Sequence, residues 1–92
     1  MTGLPDIEYT AQIWKEGDQF VAHAMPLDVM SCGESQDAAR RALDEAVTLF
    51  LETCRETQTL TEVLEESGYV LERGTWTSPD WVCIEKHTVV GA

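Results

Sequence analysis

The feature that most limits what this chain can fold into is a change of hydrophobic period inside "MSCGESQDAARRALDEA", Met30 to Ala46. Upstream of Gly33 apolar residues alternate, the two-residue repeat of a strand with one buried face. From Gln36 onward Ala39, Ala42, Leu43, Ala46, Val47, Phe50 and Cys54 fall three and four apart, a helical stripe. A chain of 92 residues has one modest core in which to bury both, so helix must lie on sheet. The expectation is an α+β fold, a single domain over 1–92. It pairs an antiparallel three- to four-stranded sheet with a long helix on one face and a second short helix, in the order β-β-β-α-α-β.

Residues 7–14, "IEYTAQIW", place Ile7, Tyr9, Ala11 and Ile13 on one face and Glu8, Thr10, Gln12 and Trp14 on the other. "KEGD" supplies a turn, with Gly17 free to take positive φ, and "QFVAHAM" returns as the second strand of a hairpin. Pro26 ends that strand because it has no N–H for a ladder. "LDVMSC" reads as a third short strand. After the long helix the pattern breaks near Glu56–Thr59, where Thr59 or Thr61 can cap "TEVLEESG", stopped by Gly68. "YVLERG" looks extended, "TWTSPD" reads as a loop, and "WVCIEKHTVV" as a last, β-branched strand.

The strand–glycine–helix junction at Gly33 raises the question of phosphate, which helix N-termini favour. A phosphate cradle wants several glycines and a lysine. Here one glycine is followed by Glu34 and Asp37, two carboxylates that repel an anion. Ser35 is a natural N-cap, so the junction is read as a turn and a helix start.

Seventeen acidic residues against six basic give a net charge of −11. That field repels nucleic acid and anionic membrane and draws in basic partners, although excess acid also simply keeps a small protein dissolved. Neither direct nucleic-acid binding nor membrane association is expected; the longest apolar run, Leu49–Leu51, spans nothing. "MTGLPDIEY" lacks the basic start and apolar block of a secretory leader. Cys32, Cys54 and Cys83 are odd in number and far apart, which suits reduced thiols in the cytoplasm. Cys54 and Cys83 read as inert packing and Cys32 as partly exposed at a strand end.

No catalytic constellation stands out. Glu8 and Glu85 on strands, and Asp44, Glu45 and Glu52 on a solvated helix face, do not read as a two-metal site. His23 and His87 with three cysteines show no ligand spacing and read as sheet-face residues. No enzyme, cofactor or metal is therefore expected. Trp14, on the polar strand face, calls for a cover, either a partner or Trp76 or Trp81 folding back from the same chain. Glu34 to Glu72 holds ten acidic and three basic residues, so its helical side is either a solvated face or a place for a basic protein.

From Tyr9 to Cys54 the succession "YTAQIWKEGDQFVAHAMPLDVMSCGESQDAARRALDEAVTLFLETC" resembles the HicB-like antitoxin domain. Phe20–Ala22, Pro26, Gly33–Glu34–Ser35, Ala38–Ala39, Glu45–Ala46 and Leu51 fall on the family's strand, loop and helix positions. Two departures stand out. Ala38 replaces the acidic residue that closes a capping box with the Ser or Thr, and "PLDVMSC" has lost the usual glycine and second proline. The resemblance implies a partial ribonuclease-H-like fold without nuclease chemistry, which binds and masks a small basic HicA-type ribonuclease toxin, commonly as a dimer or tetramer. Many members also carry a DNA-binding domain, expected where this chain ends; its tail "EKHTVVGA" has Lys86 alone as a base, so DNA binding is not expected. On this reading Trp14, Glu52, Glu56, Glu62, Glu65 and Glu66 are the candidate partner-binding residues. The competing expectation is a stand-alone oligomeric module with no toxin partner.

Overall fold

The computed structural model describes residues 3–91; Met1, Thr2 and Ala92, on which part of the leader reading and the ends of the 1–92 span rest, lie outside them. The elements run β1 (Asp6–Ile7), β2 (Thr10–Glu16), β3 (Gln19–Met25), β4 (Val29–Gly33), α1 (Gln36–Glu56), α2 (Leu60–Glu66), β5 (Val70–Glu72) and β6 (Thr75–Thr77). The fold is mixed α+β, with two three-stranded sheets: an antiparallel β2-β3-β4 sheet and a small β1-β6-β5 sheet.

The β2–β3 hairpin turns at Gly17–Asp18 between the paired Glu16 and Gln19. Gly17 has φ 59°, the positive angle a two-residue type II′ turn needs at its first central position. Ala11 and Ile13 stand opposite Ala24 and Ala22, and both β3 alanines are fully buried beneath α1. Small side chains there let the helix approach closely. Trp14, Gln12 and Thr10 pair with Val21, His23 and Met25 on the face turned away from α1.

The helix stripe buries Ala39, Leu43, Val47, Leu51 and Cys54. Ala42, Ala46 and Phe50 are half-buried beside it. Leu51 joins the stripe where periodicity alone had not placed it. Ser35 caps α1, its Oγ accepting from the Ala38 N–H at 3.0 Å. α1 ends with the Gln58 N–H donating to the Arg55 carbonyl and the Thr59 N–H to that of Cys54, Gln58 sitting at φ 62°. α2 repeats the device at Gly68: its N–H reaches the Glu65 carbonyl and the Tyr69 N–H that of Leu64. These paired bonds satisfy the last carbonyls of each helix. Thr59 is the N-cap of α2, but its side chain makes no capping bond. Leu64, Tyr69 and Trp76 carry the core from α1 into the small sheet.

Two expectations are corrected. The first strand does not start at Ile7: Ile7 lies in β1, parallel to β6 and beside Trp76, and the Glu8 N–H donates to the Trp76 carbonyl at 3.1 Å. The last strand is not "WVCIEKHTVV". It is Thr75–Thr77, inside the stretch read as a loop, returned on β5 by a tight turn at Arg73 and Gly74 (φ 52° and 83°). Trp76, buried, anchors it. Beyond it the Ser78 N–H goes to Glu8 Oε1 rather than to a ladder, and Pro79 has no N–H to offer, so pairing stops.

Candidate interaction surface

The Gly33 junction is closed to ligands by the chain itself. A Cβ on Gly33 would lie 2.6 Å from the Ala39 nitrogen and 2.8 Å from the Ala38 Cβ, so this glycine exists to let α1 fold down onto β4. The Ala38 N–H is taken by Ser35 Oγ and the Ala39 N–H by the Ser35 carbonyl. Glu34 and Asp37 are exposed at the mouth. Asp37 pairs with Arg40 of the same turn at 2.5 Å. Two of the N–H groups of this turn are thus already bonded, and the exposed carboxylates repel an anion.

On α1, Glu45, Leu49, Glu52 and Glu56 follow at spacings of four, three and four, which places them on one stripe away from the buried one. Glu45 and Glu56 are exposed and Glu52 half-buried, while Leu49 is 66% exposed among them. On α2, Glu62, Glu65 and Glu66 are exposed on a second such stripe. Among the described residues the ion pairs are His23–Asp28, Arg40–Asp37 and His87–Glu85, so none of these six glutamates is neutralised by a neighbouring base. The α1 stripe is thus a row of unpaired carboxylates around an exposed leucine. Glu45 and Leu49 were missed as site residues; their signal was a spacing of seven and three from Glu52.

Trp14 does not belong to that surface. It stands on the sheet face turned away from α1, its ring 6.4 Å from His23 and its indole N–H donating to Glu16 Oε1 at 2.9 Å. Neither of the other tryptophans stacks on it among the described residues: Trp76 is in the core and Trp81 is exposed. The six candidate residues thus do not form one surface: Glu52 and Glu56 lie on α1, Glu62, Glu65 and Glu66 on α2, and Trp14 on the open sheet.

His23 Nε2 lies 2.6 Å from Asp28 Oδ1, and His87 Nε2 3.1 Å from Glu85 Oε1, each a local pair. Among the described residues no group of three or more His, Cys, Asp or Glu side chains could hold a metal ion. Cys54 is buried, Cys32 exposed, and Cys83 exposed where inert packing was expected, because its segment joins no sheet. Burial, then the nearby Glu8 charge and Tyr9, pushes the Tyr69 phenol up to about 12; its hydroxyl donates to the Glu8 carbonyl at 2.6 Å. Burial, with Asp44 beside it, likewise raises Tyr9, whose hydroxyl donates to Asp44 Oδ1 at 3.2 Å. Both shifts hold the phenols protonated, the opposite of what a general base needs. Among the described residues no helix is long and apolar enough to cross a membrane.

No family model, curated protein or solved structure matches the chain.

Proposed function

We propose that the chain is a non-catalytic binding protein of the HicB-like antitoxin kind, which covers the cationic RNA-binding face of a small HicA-type ribonuclease toxin in the cytoplasm. The observation that supports this most is the unpaired carboxylate stripe of α1, Glu45, Glu52 and Glu56, set around exposed Leu49, with Glu62, Glu65 and Glu66 exposed on α2 as well. Each surface ion pair contributes only about 0–1 kcal/mol. The stripe therefore acts chiefly by steering a basic protein into contact, and Leu49 supplies the apolar anchor that holds it. The same charge keeps RNA and DNA away from the chain itself. The second reading, an oligomeric module without a toxin, is favoured by the open sheet face around Trp14.

The test is to mix the chain with the product of a short basic reading frame encoded next to it. Co-elution and loss of RNA cleavage are expected. A toxin that cleaves at full rate and elutes apart, or the absence of such a frame, overturns the reading.

A further inference from the structure

No regular structure follows Thr77 among the described residues, and every residue from Trp81 to Val90 is exposed. Yet this is a strand-like composition: Val82 is 96% exposed, Val89 94% and Val90 88%, with Ile84 at 65%. The molecule is long. Its radius of gyration is 15.2 Å and its largest extent 46 Å, against about 12 Å for a compact chain of this length. Ten extended residues reach about 33 Å, longer than any strand of either sheet.

The β2-β3-β4 sheet has the matching vacancy. β2 and β4 are its two edges. β2 is guarded in the usual way, by Lys15 and Glu16. β4, "VMSCG", has no charge and no proline, and its Met30 is 55% exposed. An unguarded edge beside a face carrying Trp14, Val21, Met30 and Cys32 is a place where a further strand adds. Charge decides whose strand it is. Sixteen acidic and five basic residues precede the arm, whereas Glu85 and Lys86 cancel within it. The arm, net neutral and rich in β-branched residues, is therefore a segment with which a second copy of so acidic a chain can approach the uncharged β4 edge without strong repulsion.

We propose that two copies exchange these arms: Trp81–Val90 of each pairs along the free edge of β4 in the other, about a twofold axis, giving a closed dimer. Val82, Ile84 and Val90, on one side of the arm, extend the face covered by α1; Trp81 and Cys83, on the other, extend the open face beside Met30 and Cys32. The acidic stripe of α1 lies outside this contact. The inference refines the oligomeric side of the functional reading and stands or falls separately from toxin binding.

The test is light scattering on the full chain at micromolar concentration, beside two variants at exposed positions. Ile84→Pro removes an arm N–H and bars ladder pairing without changing charge; Met30→Lys guards the acceptor edge. The expected result is the mass of two chains for the parent and of one for each variant, with helical circular dichroism unchanged. A single-chain mass for the parent, a mass that climbs steadily with concentration, or a variant that stays dimeric overturns the proposal. Assaying Ile84→Pro against the toxin separates the two claims: a monomer that still silences the toxin leaves the functional reading intact, and a dimer that binds no basic protein leaves the exchange intact.

Discussion

Gly33→Ala is the substitution whose sign is most informative. Gly33 does not use positive φ, so on backbone grounds alanine would stabilise the chain by about 0.4–1 kcal/mol through the unfolded state. Sterics oppose this. The new methyl would meet the Ala39 nitrogen at 2.6 Å, the Ala38 carbonyl carbon at 2.7 Å and the Ala38 Cβ at 2.8 Å. Two of those atoms are backbone in the first turn of α1, so relief requires lifting the helix start off β4. Overpacking of this kind costs about 1–3 kcal/mol, leaving a net loss of about 1–2 kcal/mol. For a domain of this size that lowers Tm by about 5–15 °C. Thermal unfolding followed by circular dichroism reads it directly. An unchanged or raised Tm would refute the idea that Gly33 serves helix packing.

Leu43 and Leu64 are the largest fully buried side chains, one on each helix. Leu43→Ala and Leu64→Ala should each cost about 2–5 kcal/mol, read as a lower urea midpoint at unchanged slope. The folded-state pKa of Tyr69, about 12, lies above the ordinary 10.0. The unfolded chain therefore loses this proton first as pH rises, and stability is fully present below pH 10 and falls between 10 and 12. Denaturation at stepped alkaline pH should show that fall, and Tyr69→Phe should remove the Tyr69 share of it while losing the bond to Glu8.

The elements with strong periodicity were legible in the sequence. The hairpin, the Ser35 cap, the α1 stripe and the α2 stop at Gly68 all stand where local pattern and propensity agree. The small sheet was not legible, because its strands are two or three residues long and are defined by a partner at the other end of the chain. Its signal was the Arg73–Gly74 dipeptide between "YVLE" and "TWT", a tight-turn pair passed over in favour of the more β-branched tail. Propensity misled at "WVCIEKHTVV", which is β-branched yet pairs with no strand of its own chain among the described residues. The α1 C-cap was hidden because Gln58 takes the left-handed angle usually left to glycine. For the candidate surface, charge pointed to the helices, and strand alternation already set Trp14 on the face away from the core, where the sheet register places it.

On the proposed function, the α1 stripe draws in a basic protein. The most direct test of the proposed function is the association rate with the proposed partner, a basic toxin encoded next to this chain, measured by stopped flow from low to high salt. The comparison is between the parent chain and Glu45→Gln/Glu52→Gln/Glu56→Gln. Steering predicts a parent rate that falls steeply with salt and, at low salt, drops about tenfold or more in the triple variant, with dissociation little changed. Equal rates for the two chains, indifferent to salt, would contradict it.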